Sequence, residues 1–416
     1  MPKTYPPFVT LLRRRKADDV DLGRIDSAAL TEWLLTGAIA ADDMLDLFRG
    51  FVVHLLAAGF PLDRTTLHVG TLHPQILAYA WNWERDQGDF DEVKVAEATL
   101  GSDAYRRNPL RQVIEGGVRI RQRTEDAATP LLQELALQGI REYLAMPLST
   151  GGSFHNAVTF ATKRDSGFSD ADIVQLSAWL KLYALHVQKH IVQQISANVL
   201  DVYLGHEAGA RVLRGSIKRG AGHPIEAIIW SSDLRGFTAL ADQLDPPATI
   251  AVLNAYFEGL AGAVLAEGGD VLKFIGDGML AVFRLDAFAS PALAAEASFK
   301  AAERALADLQ ALNADPDRLP ERPDGAPLRT GIALHLGEVF FGNVGAPERL
   351  DFTVIGRAVN TASRVEALSK TLGRPLLITA PVAALLSCPL EPLGEHALRG
   401  VGQPLALFAP AASARG

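Results

Sequence analysis

The sequence predicts an α+β chain, an α/β sandwich in two halves joined by a helical stretch, and three observations carry that expectation. Strand-like runs TTLHVG, QILAYAWNW, REYLAMPL and NAVTFAT alternate with polar or glycine-rich breaks in the first half. A long helical pattern opens at Ser169-Asp170-Ala171-Asp172, a capping signal, and repeats through Ile173, Leu176, Leu180, Tyr183 and Val187 toward Ile191 and Ile195. The second half then reads strand, helix, strand, strand, helix, strand, which is the ferredoxin-like βαββαβ order.

Each element has its own reason. Residues 1–26 are expected as an N-terminal tail. In MPKTYPPFVTLLRRRK the positive charges come after the short apolar stretch, the reverse of a secretory signal, and Arg13–Lys16 reads as a solvated basic cluster. Residues 27–191 are expected as a domain of their own, where Met44, Leu47, Phe48, Phe51 and Leu55 share one helix face that stops at Gly59 and Pro61. Residues 192–222 are expected as a helical linker, because short helical pieces alternate with glycine in NVLDVYLGHEAGARVLRGSIKRGAGHP. Over 223–410 the expected order is a strand at 226–232, a helix at 247–266 and strands at 271–275 and 279–283. A helix at 292–312 and a strand at 328–335 complete it.

Composition narrows the class. A chain of 416 residues with 48% hydrophobic and 21% charged residues has the length of two or three ordinary globular domains. A net charge of −8 excludes a nucleic-acid binder that depends on a basic surface. Cys388 is the sole cysteine, so no intramolecular disulfide forms, and a cytoplasmic location is expected. The apolar run FVVHLLAAGF is about ten residues where a bilayer needs about twenty, so no membrane span is expected.

The chemistry concentrates at two aspartates, Asp233 in AIIWSSDLRGFTAL and Asp277 in DVLKFIGDGMLAVF. Taken singly, Asp-Gly between two apolar runs is a hairpin signal, and Asp233 is a turn or cap residue. Taken together, the strand order makes the end of the first strand and the following hairpin neighbours. Paired hard oxygen ligands of this kind suit Mg²⁺ or Mn²⁺. Gly236 allows close backbone approach, and Phe237 and Thr238 place N–H groups at a helix N-terminus, which is an anion site. The chain has no Gly-x-x-x-x-Gly-Lys-Ser/Thr loop and no Gly-x-Gly-x-x-Gly run, which removes the P-loop and Rossmann classes. GGDVL at Gly268 lacks the residues that would extend it to a GGDEF signature.

The motifs DLRGFT, KFIGDG, GIALHLGEVFFGNVG and DFTVIGRAVNTASRVE jointly resemble class III nucleotidyl cyclases, from about Asn198 to Pro410. The resemblance implies two ions of Mg²⁺ or Mn²⁺ per site, bound by Asp233 and Asp277 with the Leu234 carbonyl, and purine selection by Lys273 and Thr353. It also implies transition-state roles for Asn360 and Arg364. Asn360 and Arg364 lie four apart in a helical segment, so they share a face. Lys273 is a pure donor and suits an acceptor on adenine. Thr353 stands where many adenylyl cyclases carry Asp. Arg399, in ALRGVGQ, stands where the family often has a triphosphate-binding lysine, and a cationic surface turn fits it equally.

The activity this implies is conversion of ATP to 3′,5′-cyclic AMP and pyrophosphate in a homodimer whose sites are shared between subunits. The alternatives are a guanylate cyclase, a non-catalytic nucleotide-binding regulatory domain, or a scaffold. The first half resembles a GAF-type sensor in GIREYLAMPL and NAVTFATKRDSGFSDADIVQLSAWL, which implies an unknown small-molecule or protein regulator. His68, His73, Trp81 and Trp83 read as structural rather than as a cofactor pocket.

Overall fold

The computed structural model describes residues 5–16, 22–72, 76–126, 129–148, 156–315, 317–320, 322, 325–400 and 402–411. The chain divides into two compact units that meet between Val199 and Leu200. His73 lies outside the described residues.

The first unit holds β1 (Val9–Arg15), α1 (Ser27–Glu32), α2 (Met44–Ala57), β2 (Arg64–Gly70), β3 (Ile76–Glu84) and β4 (Phe90–Ala96). These are followed by α3 (Asp103–Arg106), α4 (Leu110–Gly116), β5 (Ile120–Arg123), α5 (Pro130–Leu137), β6 (Glu142–Leu148), β7 (Asn156–Thr162) and α6 (Asp170–Leu204), whose last five residues fall in the second unit. The strands form one antiparallel sheet in the order β1-β4-β3-β2-β7-β6-β5. Alternation along β6 sends Leu144 and Leu148 to one face and Tyr143 and Ala145 to the other, so this strand is buried on both sides. The first face packs on α2 and α6, where Phe51 and Tyr183 stack with ring centroids 4.2 Å apart. The second face packs on α4 and α5.

The basic cluster is solvent-exposed, as expected, but Arg13–Arg15 belong to β1 rather than to a tail. β1 is an edge strand on β4, and Arg14 pairs with Asp91 at 2.6 Å. Arg13 pairs with Glu92 and Asp43, and Arg15 with Asp46. Its partners come from strand and helix segments about thirty to eighty residues downstream, and no local pattern announces them.

α6 is 35 residues long and continues beyond the expected Ile195, because no glycine or proline interrupts it before Gly205. The linker expected at 192–222 is therefore divided. Its first part is α6, and its second part, α7 (His206–Leu213), packs Ala208 into a cluster with Ile225 and Leu272 and pairs Glu207 with Arg284 at 3.0 Å.

The second unit continues with β8 (Gly222–Leu234), α8 (Phe237–Ala241), α9 (Pro246–Ala266), β9 (Asp270–Ile275), β10 (Gly278–Arg284), α10 (Pro291–Ala314) and β11 (Thr330–Ala346). β12 (Arg349–Ile355), α11 (Arg357–Leu372), β13 (Leu376–Thr379), α12 (Ala380–Ala383), β14 (Leu390–His396) and β15 (Leu405–Pro410) complete it. The sheet runs β14-β15-β13-β11-β8-β10-β9, with β12 as a hairpin partner of β11. β11 is twice the expected strand, since GEVFFGNVGA, whose glycines look like breaks, pairs with β8 as far as Gly222 and then with β12. Trp230 on the central β8 is fully buried.

α9 and α10 cover one face. Among the described residues α9 is the one helix long and apolar enough to cross a membrane by length and composition, a feature the sequence reading passed over. Its Val252, Tyr256, Leu260, Ala263 and Val264 are buried in the core of this unit.

Candidate active site

β8 ends between β10 and β11, and Asp233 stands opposite Gly278 on one side and Gly331 on the other. The β9–β10 connection is the two-residue turn Gly276-Asp277, with Gly276 at φ +62°, so the hairpin reading of this stretch also holds. Leu234 N donates to the Asp277 carbonyl at 3.3 Å, which ties the turn to the end of β8. A Cβ at position 278 would lie 2.9 Å from Ser232 O and 3.3 Å from Asp233 Oδ1, so glycine there permits the approach. Tyr256 and Thr330 fasten the same point from below. The Tyr256 hydroxyl lies 2.7 Å from Thr330 Oγ1, which donates to the Asp233 carbonyl at 3.1 Å.

Burial first, and the charge of Asp277 second, push the Asp233 carboxyl above its ordinary value, against the opposing Arg235. A carboxyl crowded in this way by a neighbouring carboxylate is a donor that a hard divalent cation relieves. Among the described residues no third Asp, Glu, His or Cys joins the pair, so water and phosphate oxygens would complete any shell. Gly236 then turns with φ +74° into α8, whose first N–H groups, those of Phe237 and Thr238, lie at an uncapped helix start.

Behind the aspartates is a pair that sequence reasoning missed. Arg235 Nη2 donates to the Glu366 carbonyl at 3.0 Å and also contacts Glu366 Oε1 and Ser369 Oγ, both on α11. Gly331 makes room, because a Cβ there would sit 1.9 Å from Arg235 Nη2. Burial pushes Glu366 up to about 7, with Arg235 opposing and Asp233 and Asp277 adding to the rise.

A carboxyl raised in the folded state favours folding fully below its unfolded value. That contribution is lost as pH climbs through the folded value. Glu366→Gln is therefore expected to flatten the fall in thermal midpoint between about pH 5 and about pH 8 in EDTA-treated protein. Equal slopes for the parent and the variant would contradict the assignment.

Lys273 lies on β9 and forms an ion pair with Asp351 on β12. Asp351 is a partner that the sequence reading did not single out. Thr353, two residues along β12 and so on the same face, is buried, and its Oγ1 has no hydrogen-bond partner. The structure thus gathers Lys273 and the Thr353 strand.

It does not join Asn360 and Arg364 to the aspartates. Both lie on α11, where Asn360 is exposed and Arg364 half-buried beside the 399–400 turn. A Cβ on Gly400 would be 3.4 Å from Arg364 Nη1, and exposed Arg399 precedes it. Glu366, the α11 residue that reaches Arg235, is two residues past Arg364 and so about 200° round the helix.

His68 hydrogen-bonds Thr66 through Nε2 at 2.8 Å, and burial holds it down to about 4. Trp83 stacks on Phe90. Both are parts of the first unit's packing.

Comparison with known proteins places these observations. Residues 225–408 match the family described as the adenylate and guanylate cyclase catalytic domain. The chain is 35% identical over 174 residues to the adenylate cyclase of Anabaena cylindrica, covering 42% of this chain and 33% of that protein. It is 27% identical over 259 residues to adenylate cyclase 1 of Rhizobium meliloti (strain 1021), covering 60% and 36%. It thus spans about a third of the length of these two relatives. A solved bacterial light-regulated adenylyl cyclase aligns at 29% identity and a TM-score of 0.39, covering 45% of this chain and 91% of that one. Residues 225–408 are thus similar to the catalytic domains of adenylate and guanylate cyclases.

Proposed function

We propose that the protein is an adenylate cyclase that converts ATP to 3′,5′-cyclic AMP and pyrophosphate as a homodimer regulated through its first unit. The observation that carries this reading is the meeting of Asp233 and Asp277 at one sheet edge, while among the described residues no hydrogen bond or ion pair links Asn360 or Arg364 on α11 to them. One chain presents two halves of a site, and a twofold partner completes both. Val174, Leu185, Val192 and Tyr203 on α6 are each more than half exposed and recur at steps of eleven, seven and eleven residues, one stripe that suits helix pairing.

In the reaction the ribose 3′-oxygen bonds to the α-phosphorus, the bond from that phosphorus to the α,β-bridging oxygen breaks, and the 3′-proton passes to solvent. Asp233, Asp277 and the Leu234 carbonyl would hold Mg²⁺ or Mn²⁺, which when bound supplies phosphate neutralisation and acidifies the 3′-hydroxyl. Lys273 and the Thr353 hydroxyl bind the adenine edge, the lysine as a donor and the hydroxyl as an acceptor from the amino group. Asn360 orients the ribose, and Arg364 stabilises the charge that develops on the transferring phosphoryl group. Arg399, beside Arg364, and the N–H groups after Gly236 receive the remaining phosphate oxygens. The first unit is read as a GAF-like sensor.

Purified full-length protein with Mn²⁺ is expected to form cyclic AMP from ATP faster than cyclic GMP from GTP. Lys273→Glu, which replaces a donor with an acceptor, should shift the ATP/GTP ratio toward GTP by at least about tenfold. A higher rate with GTP in the parent protein favours the guanylate reading, because the Thr353 hydroxyl also donates to a guanine carbonyl. No cyclic nucleotide from either substrate favours a non-catalytic regulatory domain.

A further inference from the structure

Arg235 stands between two groups of residues that the proposed reaction uses separately. It follows Asp233 by two residues, and its guanidinium lies on α11, the helix that also carries Asn360 and Arg364. At the strand end there is little slack. Leu234 N donates to the Asp277 carbonyl at 3.3 Å and Arg235 N to the Arg329 carbonyl at 2.8 Å, so the chain from the aspartates to Arg235 is hydrogen-bonded at each step.

The helix end is as confined. One atom, Arg235 Nη2, donates to the Glu366 carbonyl at 3.0 Å and meets Glu366 Oε1 and Ser369 Oγ, on residues only 6% and 4% exposed. These acceptors span one turn of α11, so the contact fixes both the rotation of the helix and its position along its axis. Gly331 lies opposite Asp233 in the register of β8 and β11, and a Cβ there would collide with Arg235 Nη2, Ser369 Oγ and Glu366 Oε1 alike. The passage from the aspartate end of β8 to α11 thus depends on glycine at that position.

Small displacements of this helix matter. Side-chain heads on a helix rim lie about 6 Å from its axis, so a rotation of about 10° moves them by about 1 Å. A misplacement of that size costs about a hundredfold in rate. Apolar packing of Ala362 and Val365 resists separation of α11 from the sheet, but it is not directional, whereas the charged contact is.

We propose that Arg235 is a positioning residue that ties the two active sites of the dimer together. Its backbone fixes the aspartate end of β8 in one site, and through Glu366 its side chain fixes the helix that lends Asn360 and Arg364 to the other. The inference rests on the shared-site reading of the dimer. A change at the aspartates of one site is then felt by the arginine of the opposite site, which makes the two sites interdependent.

The test severs the contact with Arg235→Met and Glu366→Leu together, which removes one charge of each sign and leaves neither stranded. Mn²⁺ titration of the full-length protein, followed by electron paramagnetic resonance, should show binding weakened by about tenfold. The same double change is then placed in mixed dimers of Asp277→Ala and Arg364→Ala chains. Their intact site takes its aspartates from the Arg364→Ala chain and its arginine from the Asp277→Ala chain. On the Arg364→Ala chain the double change should raise the Mn²⁺ needed for half-maximal rate by about tenfold. On the Asp277→Ala chain it should lower the maximal rate by at least about tenfold at an unchanged Mn²⁺ requirement. A merely structural role would not split the two parameters by chain. Arg235→Gln with Glu366→Gln, polar and too short to bridge, serves the same tests with the same expected results if the first pair does not fold.

Mn²⁺ affinity equal to that of the parent overturns the proposal. So does parental behaviour of the intact site with the double change on either chain, or the same change in both parameters on both chains. Absence of rescue in mixtures that keep Arg235 and Glu366 would instead refute the shared site, and with it the link between two sites.

Discussion

Mixing Asp277→Ala chains with Arg364→Ala chains is expected to restore about a quarter of the parent activity, although each variant alone should fall by about a thousandfold or more. The reason is where the two side chains lie. Asp277 stands at the β9–β10 turn beside Asp233, whereas Arg364 is on α11, about 200° round that helix from the residue that reaches toward the aspartates. In a twofold dimer each site takes the aspartates of one chain and the arginine of the other. A mixed dimer therefore collects both lesions in one site and leaves the second whole. With free exchange and equal amounts, about half the dimers are mixed and each keeps one of two sites, hence about a quarter. Cyclic AMP formation against mixing ratio reads this directly. A mixture no more active than its components would sink the shared site, while high activity of Arg364→Ala alone would remove that residue from the chemistry.

Arg235→Met should cost about 3 kcal/mol of unfolding free energy near pH 8, because it strands the buried Glu366 carboxylate without its cation. The size is pH-dependent. Below about 7 Glu366 takes up a proton, and the penalty shrinks as pH falls toward 5. Combining Arg235→Met with Glu366→Leu should recover most of the loss, since removing both partners leaves no buried charge unpaired. Urea unfolding of the four proteins of this cycle, at about pH 8 and about pH 5.5, measures the coupling. Additive effects at pH 8 would show that Arg235 and Glu366 do not act on each other. The functional consequence follows from position: Arg235 comes next but one after Asp233 and anchors α11 beneath the site, so the double variant should regain stability before it regains activity.

Much of the second unit was legible because its elements carry local signals. The apolar runs of β8, β9 and β10 and the long helices α9 and α10 lie within a few residues of where spacing and caps put them. β12 to β15 were not read as strands: β12, β14 and β15 are partly exposed and lack clean apolar alternation, and β13 is four residues long and defined by β11, more than forty residues earlier. β1 was missed for the same reason, since an arginine run becomes a strand only when Asp91, Glu92, Asp43 and Asp46 arrive to neutralise it. α6 reached further than expected because mid-helix polar residues such as Gln193 and Gln194 do not stop a helix, whereas Gly205 does.

By itself the sequence determined that Asp233 and Asp277 follow apolar strands next to glycine, and that Lys273, Thr353, Asn360 and Arg364 stand at the offsets of a class III cyclase. Only the tertiary structure decided which of them meet. Strand register brings Asp233 against the Asp277 turn, and the Arg235–Glu366 contact, 131 residues apart, fixes the face that α11 turns inward. Local signals act over a few residues, while contacts between distant segments depend on how sheets and helices pack, and chemistry needs the second kind.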